Sequence, residues 1–122
     1  MNKKTVVIGA TPNPSRYAYI ASHMLREYDH EIVPVGIKTG EVAGEQIHDM
    51  RDKPQFTEVD TVTLYIGTHN QAEWYEYILG LNPKRIIFNP GTENPELVQK
   101  AREKGIETVY GCTLVMLRAG TY

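Results

Sequence analysis

The sequence predicts an α/β fold: a doubly wound, mainly parallel five-stranded sheet lying between helices in three αβα layers. Two observations carry the prediction. Short runs rich in β-branched residues recur along the 122 residues, separated by stretches with helical periodicity, in the order βα, β and a long loop, then three further βα units. That order is the one right-handed crossovers between parallel strands produce. The first run, Thr5-Val6-Val7-Ile8, is apolar without polar alternation, which suits a strand covered by helices on both faces.

Each element follows from local chemistry. Gly9 ends the first strand, Asn13 is a good N-cap and Pro14 a good first helical residue, so a helix is expected to begin at about Pro14. From Ser15 to Tyr28, residues Tyr17, Ile20, Ala21, Met24 and Leu25 recur at three- and four-residue spacing and give it one buried stripe. Asp29-His30 turns the chain into a second strand, Glu31 to Val35, where Pro34 suggests a place near an edge or a strand end. Gly36 to Asp60 shows little periodicity and reads as a long irregular loop, with a short extended piece between Val42 and Ile47. Thr61 to Ile66 is the third strand, ended by Gly67, and Gln71 to Leu79 the helix after it, stopped by Gly80. Arg85 to Phe88 forms the fourth strand, and Asn94-Pro95-Glu96 starts a helix that runs to Lys104 before Gly105. Glu107 to Tyr110 is the fifth strand and Thr113 to Arg118 a last short helix.

Composition narrows the function classes. The length suits a single domain over residues 1–122, and no linker, repeat or low-complexity run divides it. One cysteine permits no internal disulfide, which suits a reducing compartment. No run approaches the ~18 apolar residues of a membrane span, and no signal-peptide core is visible, so a soluble cytoplasmic protein without a membrane partner is expected. A formal net charge of −2 offers no general basic field for nucleic acid. Any anion must therefore be held locally.

In a doubly wound sheet the ligand sits at the carboxyl ends of the strands, beside the switch point. The residues gathered there are Gly9, Ala10, Thr11, Asn13, Pro14, Ser15 and Arg16 after the first strand and Gly36, Ile37 and Lys38 after the second. Ile66, Gly67 and Thr68 follow the third, and Asn89, Pro90, Gly91 and Thr92 the fourth. Free N–H groups at a helix start and the forked donor of Arg16 suit a phosphate, although an ordinary βα unit begins the same way. The dinucleotide pattern G-x-G-x-x-G is broken, because Thr11 and Pro14 stand where glycines belong, and a standard NAD site is disfavoured. The set is poor in acids, bases and nucleophiles. Its chemistry is that of a cradle.

Val7-Ile8-Gly9-Ala10-Thr11-Pro12-Asn13-Pro14-Ser15-Arg16, Ile32-Val33-Pro34-Val35 and Gly40-Glu41-Val42-Ala43-Gly44 together resemble the small stand-alone CoA-binding proteins. Their Rossmann-like domain is also found in the succinyl-CoA synthetase alpha subunit. The resemblance covers nearly the whole chain and implies a phosphate-binding loop after the first strand that holds CoA or an acyl-CoA. The family often has Asn-Pro after the second strand, where Gly36-Ile37 stands here. Lys38, near the place where an NAD site carries an acid, favours an extra phosphate. That phosphate is the ribose 3′-phosphate of CoA or the 2′-phosphate of NADP, so an NADP enzyme or redox sensor is the alternative.

No catalytic constellation is visible. Cys112 reads as a small core residue after the fifth strand, and His23, His30, His48 and His69 show no metal spacing. Glu93 and Glu96 read as partners of a helix dipole. Trp74, Tyr75 and Tyr77 read as packing residues, part of which could serve a homodimer or a partner enzyme.

Overall fold

Thr5–Ile8 forms β1, and all four of its residues are buried, as an unbroken β-branched run demands. In the computed structural model, which describes residues 2–122, the chain continues through α1 (Tyr17–Glu27), β2 (Ile32–Gly36), β3 (Glu41–Val42), β4 (Glu45–Gln46), β5 (His48–Asp49) and β6 (Thr61–Leu64). It ends with α2 (Tyr75–Gly80), β7 (Arg85–Phe88), α3 (Pro95–Glu103), β8 (Glu107–Tyr110) and α4 (Thr113–Ala119). The main sheet has the order β5-β2-β1-β6-β7-β8, and every neighbouring pair in it is parallel. After β2 the chain crosses back over β1 to β6, so the switch point lies beside β1. The fold is α/β, Rossmann-like and doubly wound, as expected.

Register places Val6 between Val33 and Val62, and Ile8 between Val35 and Leu64. Val6 and Ile8 share one apolar cluster with Ile78 and Leu79 of α2 and Leu97 and Ala101 of α3. Val7 belongs to the other, with Ala18 and Leu25 of α1 and Leu117 of α4. Alternate residues of one strand thus hold helices on opposite faces. Each large aliphatic side chain so buried contributes roughly 1.5–3 kcal/mol.

Several boundaries differ from the sequence expectation. Five strands were expected and all five exist; a sixth, β5, adds a two-residue edge beside β2. Pro34 sits one residue before the two that pair with β5, so its missing N–H costs no ladder bond there. The extended piece in the long loop is a hairpin, β3–β4, turned at Ala43 and Gly44, both with positive φ (51° and 82°), the geometry that twisted hairpins favour. The third strand stops at Leu64 rather than Ile66. The second helix begins at Tyr75 rather than Gln71, after two 3-10 turns, Thr68–Asn70 and Ala72–Trp74. Gln71 is drawn out of helical duty because its buried amide bonds the two loops on either side of it. Most important for function, α1 begins at Tyr17, with Arg16 and not Asn13 in the N-cap position. Among the described residues no helix is long and apolar enough to cross a membrane.

Candidate functional site

The loop from Gly9 to Arg16 leaves the carboxyl end of β1 and is locked by its own short-range bonds. Gly9 and Ala10 N–H both donate to Val35 O (2.9 and 3.0 Å), binding the loop's root to β2. Asn13 N–H donates to Thr11 Oγ1 (3.2 Å), while Asn13 Oδ1 accepts from Ser15 N–H (3.0 Å) and from the Ser15 hydroxyl (2.8 Å). Asparagine therefore makes a turn within the loop instead of capping a helix. The expected Asn13 cap and Pro14 helix start are corrected accordingly, and the helix is delayed by three residues.

That delay moves the donors. Pro12 and Pro14 have no N–H, and those of Asn13, Ser15 and Arg16 are spent inside the loop. Among the described residues, the N–H groups of Thr11 and of Tyr17 and Ala18, at the true helix start, carry no hydrogen bond. Arg16 is exposed between them, and its guanidinium has no partner among the described residues. The free donors thus bracket one arginine.

Three glycines press this loop against its neighbours. A Cβ on Gly36 would fall 2.5 Å from Ala10 O and 3.1 Å from Ala10 N. On Gly40 it would meet Pro12 Cβ and Cγ at 3.2 Å, and on Gly9, which has φ 93°, it would meet Tyr65 C at 3.0 Å and Ile66 Cγ2 at 3.1 Å. The segments after β1, β2 and β6 are consequently in contact, and Gly9 to Arg16, Gly36 to Lys38 and Ile66 to Thr68 share one edge. Ile37 is 57% exposed, Lys38 is exposed, and Ile66 is half-buried.

The segment after β7 has a different role. Asn89 is buried, and its Nδ2 donates to Thr63 Oγ1 (2.7 Å) and Leu64 O (3.0 Å) while its Oδ1 accepts from Thr113 N–H (2.9 Å). Thr92 is buried too, and its hydroxyl donates to Asn89 O (2.7 Å). These two side chains hold the turn in shape, leaving Pro90 and Gly91 as its exposed members.

Sequence reasoning missed Gln71 and the second duty of Asn94. Gln71 is fully buried; its Nε2 donates to Ile66 O (3.0 Å) and Thr92 O (2.8 Å), and its Oε1 accepts from Asn94 Nδ2 (2.9 Å). Thr68 Oγ1 adds a bond to Glu93 O (2.7 Å). The two pin the loop after β6 to the loop after β7. A glutamine four residues past a glycine stop carries no sequence signal for this.

The remaining candidates fall into quieter places. Cys112 is the half-buried residue before α4, not a core residue. Glu93 accepts from Gly91 N–H and Glu96 from the Tyr75 hydroxyl. Tyr77 is buried and its hydroxyl donates to Pro54 O, with Trp74 and Tyr75 half-buried around it. Burial pushes the Tyr77 phenol up to about 12, so it is protonated in the physiological range. This edge of the sheet carries an exposed arginine, an exposed lysine and the exposed aliphatic carbon of Ile37. Among the described residues, no nucleophile stands beside a base there.

A family model described as a CoA binding domain matches residues 3–118. The chain belongs to that family. A solved structure described only as an uncharacterized protein is 56% identical, with all of this chain and 99% of that one aligned at a TM-score of 0.94. A hypothetical protein from Pyrococcus horikoshii OT3 is 29% identical over 96% of this chain and 82% of its own, at a TM-score of 0.81. A protein from Thermus thermophilus, 23% identical over 98% of this chain and 90% of its own, shares the fold at a TM-score of 0.83. No curated protein matches.

Proposed function

We propose that this CoA-binding-family chain binds CoA or an acyl-CoA as a non-catalytic module, through the loop after β1. The observation that carries the reading is the family match across residues 3–118, which includes every segment of the cleft. The geometry supports it. In this reading the diphosphate lies against Thr11 N–H and the start of α1, with Arg16 as its charged partner. Two separated patches of donors, with an arginine between them, suit a diphosphate. The adenine packs on Ile37 or Ile66, and Lys38 reaches the ribose phosphate. Pro90 and Gly91 border the same edge, while Asn89 and Thr92 support it from within.

The ribose phosphate is the discriminating part of the ligand. Calorimetric titration with CoA, 3′-dephospho-CoA, NADP and NAD tests the whole assignment. CoA is expected to bind, dephospho-CoA more weakly, and NAD not at all. NADP binding without CoA binding would overturn the reading in favour of the alternative that Lys38 also suits. In Lys38→Ala the preference for CoA over dephospho-CoA should largely vanish; an undiminished preference would place Lys38 outside the site.

A further inference from the structure

We propose that β8 is the interface of a two-fold homodimer, in which two copies pair their β8 strands antiparallel and join their sheets into one. The inference does not depend on what the cleft binds. The two edges of the main sheet are unlike. β5 presents only two residues before the chain turns into a 3-10 helix, and the Arg51 guanidinium folds back on Asp49 at 3.0 Å. That is a blunted edge. β8 offers four residues, Glu107-Thr108-Val109-Tyr110, with neither proline nor lysine among them. Its inner side is taken: Glu107 N–H donates to Lys84 O (3.0 Å) and Gly111 N–H to Phe88 O (3.2 Å). Because an extended strand turns successive N–H groups to opposite sides, those of Thr108 and Tyr110, with their carbonyls, face away from β7. Among the described residues nothing pairs with them.

This edge is complementary to itself. With the two-fold axis at Val109, Thr108 of one copy stands opposite Tyr110 of the other. The outward groups of those residues then form four N–H···O bonds. Val109 meets its own copy, and Glu107 meets Gly111, which has no side chain, so no like charges are opposed. On the α3 side, Arg102 Nε donates to Thr108 Oγ1 (3.1 Å), beside a groove of about 790 Å³ whose floor includes Pro95 and Val98. The second copy's Tyr110 would lie over that groove, next to the Arg102 guanidinium. A cation beside an aromatic face is the charge complementarity this pairing provides. It also accounts for a tyrosine left 54% exposed at the sheet's margin.

Sedimentation equilibrium across a concentration series tests the proposal, with a mass approaching twice the 13.8 kDa of the chain expected. Thr108→Pro removes an outward N–H, and with it the hydroxyl that accepts from Arg102 Nε, without touching a bond to β7, and Tyr110→Lys removes the aromatic contact; both should shift the protein to monomer while its far-UV circular dichroism is unchanged. As a positive test, Val109→Cys in a Cys112→Ser background should oxidise to a disulfide-linked dimer. Facing residues of a non-hydrogen-bonded antiparallel pair lie about 4.5 Å apart at Cα, within disulfide reach. Ser15→Cys in the same background, on the exposed loop after β1, should not cross-link. A wild type monomeric at every concentration would overturn the proposal. So would a dimer unaffected by both edge variants, or a Val109→Cys protein that cross-links no better than the Ser15→Cys control.

Discussion

At Gly36 one methyl group decides whether the loop after β1 can lie against β2. A side chain there meets the backbone oxygen of Ala10 at 2.5 Å, and that oxygen cannot swing aside as a flexible side chain could. Gly36→Ala should therefore cost about 1–3 kcal/mol in urea unfolding, the usual range for overpacking. It should also weaken CoA, since it displaces the loop proposed to hold the diphosphate. Gly80→Ala is the control: a Cβ there touches nothing and its position is helical, so stability should hold or rise by about 0.5–1 kcal/mol. Equal losses in both would show that the close contact at Gly36 is not what matters. The charge of Arg16 is a separate question from the shape of the loop. A charged hydrogen bond contributes ~1.5–3 kcal/mol, so Arg16→Ala should weaken CoA roughly ten- to hundredfold and leave unfolding unchanged. Unaltered affinity would mean that Arg16 faces only solvent. The sequence marks Arg16 through its place after a strand and a turn. It does not mark the crowding at Gly36, which depends on a backbone 26 residues away.

The elements show where local chemistry can be read and where it is overridden. Of the four Asn-Pro pairs, Asn13-Pro14 and Asn94-Pro95 read as helix starts, with opposite outcomes. Asn94 Oδ1 accepts from Glu96 N–H (3.1 Å) and Leu97 N–H (3.3 Å), an N-cap, and α3 starts where the sequence places it. Asn13 makes an intraloop turn instead, because Ser15 supplies two nearby donors and the loop is held to β2 at its root. Strands β1, β2, β6, β7 and β8 are readable from their runs of β-branched and aliphatic residues. Of the hairpin β3–β4 only an extended piece is readable, and the edge β5 is not, since two-residue strands exist only through their partners. Asn94 is also the element-scale test. Its Nδ2 donates to Gln71 Oε1 (2.9 Å) and to the Tyr75 hydroxyl (2.7 Å) in a buried setting. Asn94→Ala should cost about 2–4 kcal/mol, the sum of a lost cap and a buried amide left unpaired. Asn94→Asp keeps the cap but turns a charged acceptor toward Gln71 Oε1, itself an acceptor, so it too should be less stable than wild type. If Asp matched wild type in chemical denaturation, the tie to Gln71 would contribute nothing.

Across the whole molecule the amino end of the sheet is closed by buried charge. There Arg85 is buried, and its guanidinium donates to Thr61 Oγ1 (3.1 Å) and Tyr122 O (2.8 Å) and stacks 4.6 Å from the centre of the Tyr122 ring. Lys3 Nζ donates to the same Tyr122 oxygen. His30 lies against the Tyr122 ring at 4.9 Å, and its Nδ1 accepts from Lys3 N–H (2.9 Å), so the imidazole is held neutral with that nitrogen unprotonated. Burial first, then the charges of Lys3 and Arg85, push its pKa below the ordinary value of 6.5; Asp29 opposes them. The unfolded chain therefore binds the proton more readily than the folded one. The stability His30 contributes is complete above about pH 6.5 and is lost as pH falls from there through its folded pKa. Wild type should show a drop in urea midpoint as pH is lowered from 7 into the region below 6.5. His30→Asn, which keeps an acceptor but cannot take a proton there, should show a smaller drop over the same interval, before the carboxylates begin to titrate. Parallel pH profiles for the two proteins would mean that His30 is protonated in the folded state at no cost, and that the buried positive charge around Tyr122 exerts no force on it.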